Sequence, residues 1–234
     1  MKLILARHGN TFAPQDKVVW VGSANDLPLV ESGMAQAKRL ADALAHTKLA
    51  AIYCAPLLRT KRMAQEVAAA QMQPLTPIID NRLTELDYGD WSGLSDSEII
   101  ERFGEAALTN WVERSIWPED CHWGASEAKV CEEVQDFVLA LSSKHDKDDT
   151  VLVVSSNGRL RYFLKLVEGE FARRLASKSF KMGTGRVSML TGKSALPAGT
   201  AGNDGSGQGA DYSLSFWNEQ PDTLLKAFSG ATSL

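Results

Sequence analysis

Residues 2–11 read KLILARHGNT. Leu3, Ile4, Leu5 and Ala6 form a continuous apolar run too short for a helix, the pattern of a strand covered on both faces. The run stops abruptly at Arg7 and His8, with Gly9 directly behind them. A strand buried on both sides belongs to a sheet flanked by helices, so the chain should supply more short strands alternating with helices. The plain alternative is a strand that surfaces into a polar loop, with His8 a hydrogen-bonded structural residue.

The alternation is present. Residues 50–53 and 78–79 are brief apolar runs, and residues 150–154 (TVLVV) are the most strand-like segment of the chain. Ser32 offers an N-cap to a helix whose Met34, Ala37, Leu40, Ala41 and Leu44 recur at helical spacing. Residues 57–72 repeat the pattern, with Leu58, Met63, Val67 and Ala70 facing inward. Ser95 is placed to cap a further helix, and the tract containing Leu108, Trp111 and Val112 runs on to Pro118. Over residues 127–141 the inward stripe is Val130, Val134, Phe137, Val138 and Leu141. A helix is expected up to Leu166, and residues 186–190 and 212–217 alternate like paired strands. The reading is an α/β fold, a three-layer α/β/α sandwich with a mostly parallel central sheet, in one domain over residues 1–234. A helical insertion falls around 94–122, and a Gly-, Ser- and Ala-rich flexible connection around 192–210.

Composition narrows the function classes. The chain has 234 residues, 44% hydrophobic and 23% charged, as in ordinary globular proteins. Its net charge of -4 gives no reason to expect nucleic acid or an anionic membrane as partner, so any anion site must be local. Cys54, Cys121 and Cys131 are odd in number and lack zinc-site spacing, which suggests reduced thiols packed in a cytoplasmic protein. The four histidines are scattered, and no His/Cys/carboxylate group has metal-ligand spacing, so neither metal nor cofactor is expected. No stretch reaches transmembrane length.

In open α/β sheets, ligands collect beyond the carboxyl ends of the strands. One strand ends at Arg7-His8-Gly9, and another at Cys54-Ala55-Pro56 with Arg59 soon after. The strand through Val154 ends at Ser155-Ser156-Asn157-Gly158. If these ends are neighbours, Arg7, His8 and Arg59 converge. Two guanidiniums around an imidazole suit a phosphoryl group, with the forks binding its oxygens and a ring nitrogen attacking phosphorus.

Arg7-His8-Gly9-Asn10-Thr11 resembles the signature of the histidine phosphatase superfamily, also called phosphoglycerate mutase-like. The resemblance continues through Leu27-Pro28-Leu29, Gly33 and Gln36-Ala37, then Ala55-Pro56-Leu57-Leu58-Arg59-Thr60. It resumes at Leu83-Thr84-Glu85-Leu86-Asp87-Tyr88-Gly89-Asp90-Trp91-Ser92-Gly93, at Val153-Val154-Ser155 leading to Arg161, and at Thr184-Gly185. It implies a phosphoglycerate mutase-like sandwich and a metal-free phosphohistidine mechanism. On that carry-over His8 is the nucleophile, Arg7 and Arg59 bind the phosphoryl oxygens with a polar contact from Asn10, and Glu85 is the general acid. Asp87 and Asp90 are the alternatives for that acid.

The chain also departs from the pattern. The family carries a second histidine after the strand matching residues 151–154, and here Ser156 stands in its place, followed by Asn157 and Gly158. Losing one such donor typically costs about 3 kcal/mol in the transition state. Ser156, Asn157 and Arg159 are the nearby candidates to replace it, and His122, on the insertion, is a more distant one. A glycine–glutamate–serine element is likewise reduced to Gly124-Ala125-Ser126. The expected function is therefore a phosphoric monoester hydrolase, slowed or specialised, acting on a phosphorylated small molecule. The alternatives are an impaired module that binds inorganic phosphate or senses it, and a phosphoglycerate mutase-type transferase. A homodimer is the assembly considered. Substrate selection is expected from residues 12–26 and the insertion.

Overall fold

The structure is a computed structural model, and it describes residues 1–193 and 212–229. From residue 194 on, the connection expected around 192–210 lies outside the described residues.

Six strands form one sheet: β1 (Lys2–Arg7), β2 (Ala51–Cys54), β3 (Ile78–Ile79), β4 (Thr150–Ser155), β5 (Val187–Gly192) and β6 (Tyr212–Glu219). Their order is β3-β2-β4-β1-β5-β6. The first four run parallel, β5 is antiparallel to β1, and β6 is antiparallel to β5. Two-residue alternation divides the core cleanly between the faces. Leu3, Leu5, Tyr53, Val151 and Val153 point to one side, while Ile4, Ala6, Ile52, Cys54, Leu152 and Val154 point to the other. Because both faces are covered, the central strands read as unbroken apolar runs.

Helices α1 (Glu31–Leu44) and α2 (Leu58–Ala70) cover the second face. The first face is covered by α4 (Glu105–Arg114) and α5 (Glu127–Ser142), with the segment around the short helix α6 (Asn157–Leu160). The expected stripe on α5 is buried residue for residue. Ser95 caps α3 (Asp96–Phe103) with a full capping box, its side chain and Glu98 exchanging bonds with each other's backbone.

Four local expectations are corrected. Ser32 does not cap α1; Val30 occupies that position, and the Ser32 hydroxyl instead accepts from Asn10 Nδ2 at 3.2 Å. On α2 Met63 and Val67 are buried as expected, but Leu58 is 45% exposed and its neighbour Arg59 is 2% exposed. The insertion breaks into α3 and α4 at Gly104, where φ is +85° and glycine meets no steric penalty. The helix expected up to Leu166 is α6 followed by a 3₁₀ stretch, Arg161–Leu166. Two further helices, α7 (Glu170–Ser177) and α8 (Asp222–Ser229), and two 3₁₀ turns, Asn81–Leu83 and Gly89–Trp91, complete the described elements.

Candidate active site

The carboxyl ends of β1, β2 and β4 are neighbours, because β4 pairs with both β1 and β2. Arg7 and Ser155 are register partners, and the His8 amide donates to the Ser155 carbonyl at 3.1 Å. His8 and Ser156 are therefore counterparts, each one residue past its strand. The loop after β1 lies hard against α1. A Cβ on Gly9 would overlap the Gly33 carbonyl, so the close approach behind His8 requires glycine.

A cavity of ≈ 880 Å³ opens above these strand ends, with Arg7, His8, Arg59, Glu85 and Arg161 on its floor. His8 is buried, and its Nδ1 lies 2.7 Å from the Gly9 carbonyl. A carbonyl only accepts, so Nδ1 carries the hydrogen and the lone pair is on Nε2. Burial first, and then the charges of Arg7 and Arg59, hold His8 well below the ordinary imidazole value. The ring is neutral near pH 7 and its free nitrogen is nucleophilic.

Backbone carbonyls hold the guanidiniums. Arg7 Nη1 donates to Met182 O at 2.6 Å, and its buried Nε has no protein partner. Arg59 donates from Nη1 to Asn25 O at 3.0 Å and from Nη2 to Gly22 O at 2.7 Å. Arg161 donates to Trp111 O at 3.0 Å, lies 3.9 Å from the centre of the Trp111 ring, and also has an unpartnered Nε. Burial lowers the pKa of all three, and Arg59 and Arg161 each lower that of Arg7 further. Three guanidiniums and one carboxyl group on a single floor concentrate positive charge that the acidic chain as a whole lacks.

Glu85 is fixed by three backbone amides: Oε1 accepts from Leu86 N at 2.9 Å and Arg159 N at 3.1 Å, and Oε2 from Gly158 N at 3.2 Å. A Cβ on Gly158 would come within 2.5 Å of both Glu85 Oε1 and the Tyr88 hydroxyl, so this contact also needs glycine. The other candidate acids are elsewhere. Asp87 accepts from Gly89 N at 3.0 Å, and Asp90 pairs with His122 at 2.7 Å; neither lines the cavity.

The remaining expected residues separate. Asn10 lines the cavity, but its side chain is engaged, accepting from Thr184 Oγ1 and donating to Ser32. Asn157 lines it too, with Oδ1 accepting from Met182 N at 2.8 Å, which leaves the Nδ2 amide for the cavity side. Ser156 is fully buried, does not line the cavity, and its hydroxyl has no partner. Arg159 turns away to Thr84 O and Glu133, and His122 is exposed beside Asp90. Arg161 and Tyr88 are the floor residues for which the sequence reading had assigned no role. Both stood inside the motif blocks, but nothing in their local pattern separates a cavity side chain from a core one. Among the described residues, no three His, Cys, Asp or Glu side chains are grouped to hold a metal ion.

A model of the histidine phosphatase superfamily (branch 1) matches residues 3–201. Phosphoserine phosphatase 1 of Hydrogenobacter thermophilus is 35% identical over 161 residues, covering 69% of this chain and 73% of that protein. The 2,3-bisphosphoglycerate-dependent phosphoglycerate mutase of Bartonella quintana is 28% identical over 186 residues, covering 77% and 88%. Among solved structures, a mycobacterial glucosyl-3-phosphoglycerate phosphatase complexed with VO3 superposes with a TM-score of 0.75 at 23% identity, covering 94% of this chain and 99% of that one. The fold, the ordered motif blocks and the family match agree: the chain belongs to branch 1 of the histidine phosphatase superfamily.

Proposed function

We propose that the chain hydrolyses phosphate monoesters through a phosphohistidine formed on Nε2 of His8. The observation that carries this reading is the neutral, buried imidazole, with Nδ1 tied to Gly9, set among three desolvated guanidiniums. A dianionic phosphoryl group would relieve the mutual repulsion of those charges. Nε2 attacks phosphorus as the ester P–O bond breaks. The departing alkoxide takes a proton from Glu85, the floor carboxyl. Water then attacks phosphorus as the P–Nε2 bond breaks, giving a proton to Glu85 and releasing phosphate and free His8. Arg7 and Arg59 hold the oxygens throughout, and Asn157 Nδ2 supplies the neutral donor nearest the position of the missing histidine.

The sealed hydroxyl of Ser156 favours a second reading, in which phosphate binds without turnover. One experiment separates the two. The wild type and His8→Ala are mixed with a panel of phosphomonoesters, quenched rapidly, and assayed for phosphate release and acid-labile, base-stable label. Turnover with label confined to the wild type supports hydrolysis. Phosphate binding with neither turnover nor label supports the binding reading, and label persisting in His8→Ala overturns the assignment of the nucleophile.

A further inference from the structure

The cavity is far larger than a phosphate group, and its outer part has a different chemistry from its floor. Its volume, ≈ 880 Å³, lies near the top of the range for drug-sized ligands, about 300–1,000 Å³. Above the floor Phe12, Val18, Val19, Trp20 and Val21 from the loop after β1, and Val112 from α4, form an apolar wall, with Thr11, Ser95, Asp96 and Ser97 beside it. Val18 is 65% exposed, an apolar side chain at the rim. The outer lining has a single cation, Lys181, and no second pair of guanidiniums that would grip another anionic group.

This wall is built rather than loose. Trp20 donates from Nε1 to Asp96 at 2.7 Å and from its amide to Leu94 O at 2.9 Å, and its carbonyl accepts from Gly93 N at 2.7 Å. Lys17 pairs with Glu98 at 2.7 Å. The Trp20 ring meets Tyr88 and Trp91 edge to face, with centroids 5.0 and 5.4 Å apart. The same loop supplies the two carbonyls, of Gly22 and Asn25, that hold Arg59. A group seated on the wall therefore braces the loop that orients the phosphate-binding guanidinium.

We infer that the substrates are phosphate monoesters of alcohols carrying a bulky apolar or aromatic ring, and not of small three-carbon acids such as serine or glycerate. The inference rests on the proposed phosphatase reading and adds the identity of the leaving group. A ring laid on the wall buries apolar area that a three-carbon chain lacks, enough to favour it by about thirtyfold. A short carboxylate ester brings a second charge that only Lys181 of the outer lining can answer.

The test compares 2-phenylethyl phosphate with ethyl phosphate and O-phosphoserine, all primary alkyl esters whose leaving groups are alkoxides. The expected result is kcat/KM about thirtyfold higher for the phenylethyl ester than for ethyl phosphate, with phosphoserine lower still. Val18→Asp, a change at an exposed position, should cut the phenylethyl-to-ethyl ratio about tenfold. Equal kcat/KM for the three esters, or a ratio unmoved by Val18→Asp, overturns the inference while leaving the phosphatase reading intact. If no ester is turned over, calorimetry on the same protein decides. Phenylethyl phosphate binding more tightly than inorganic phosphate supports the ring site, and equal affinity overturns it. Failure of both to bind removes the phosphate site itself and this inference with it.

Discussion

Two adjacent strand ends carry the same backbone plan and opposite outcomes. β1 and β4 pair in parallel, Arg7 faces Ser155 in register, and each chain leaves the sheet one residue later, at His8 and at Ser156. Past β1 a neutral imidazole lines a cationic cavity. Past β4 a hydroxyl is sealed away from solvent with no partner. The surroundings of the second position are nonetheless intact. Ser155 donates its hydroxyl to Leu83 O at 2.6 Å, and the Gly158 and Arg159 amides hold Glu85. The difference between the two ends thus lies in one side chain and not in the scaffold, which means the comparison can be broken or sharpened by single substitutions.

The largest effect is expected from emptying each end in turn. His8→Ala removes the proposed nucleophile and should lower kcat by about ten-thousandfold or more. Ser156→Ala removes a hydroxyl that bonds to nothing and should change kcat by less than about threefold. Comparable losses in steady-state assays of the two variants would show that the ends are functionally equivalent. Filling the second end is the next test. If the phosphoryl group passes through a transition state with charge spread over three oxygens, Ser156→His should raise kcat by roughly tenfold to a thousandfold with little change in phosphate affinity. A kcat that falls would show that the space around Ser156 has closed to an imidazole.

Arg59, in the first turn of α2, lines the same cavity. Arg59→Ala should weaken phosphate or vanadate binding by about ten- to a hundredfold, the worth of a charge-assisted bond of about 1.5–3 kcal/mol. Arg62→Ala should do little, because Arg62 pairs on the surface with Glu66. Equal losses in calorimetric titration would remove Arg59 from the phosphate site.

The smallest effect concerns proton linkage at His8. Its folded-state pKa lies below the unfolded value, so between those two values the unfolded chain binds a proton that the folded chain does not. Stability from this source is complete above about pH 6.5 and falls as pH drops below it. His8→Gln should flatten the acid limb of stability, measured by urea unfolding between about pH 7 and 5. Superimposable slopes for wild type and variant would mean that His8 protonates as easily folded as unfolded.

Much of the fold was legible because its strands are buried on both faces and short, so apolar runs mark them directly. The stripe on α5 and the cap at Ser95 follow from local spacing alone. Other features were misread for a common reason. Leu58 reads as core yet lies 45% exposed, while Arg59, expected at the anion site, is the buried neighbour because the carbonyls of Gly22 and Asn25 lie where a guanidinium can satisfy them. Ser32 reads as a cap, yet it serves Asn10. Arg159 and Asn157 both follow Ser156 within three residues, and only the presence of Glu133 and the Thr84 carbonyl sends Arg159 elsewhere.

The sequence by itself determined the alternation of elements, the family and the residues at each strand end, since these depend on period, propensity and motif order along one dimension. The tertiary structure decided which strand ends are neighbours, which of several nearby cations reaches the cavity floor, and that Arg161 and Tyr88 belong there. It also decided that the loop carrying an apolar wall is the loop that orients Arg59. Those outcomes turn on where distant carbonyls and carboxylates lie, because a buried charge goes to the position that satisfies its hydrogen bonds, and no local pattern records that position.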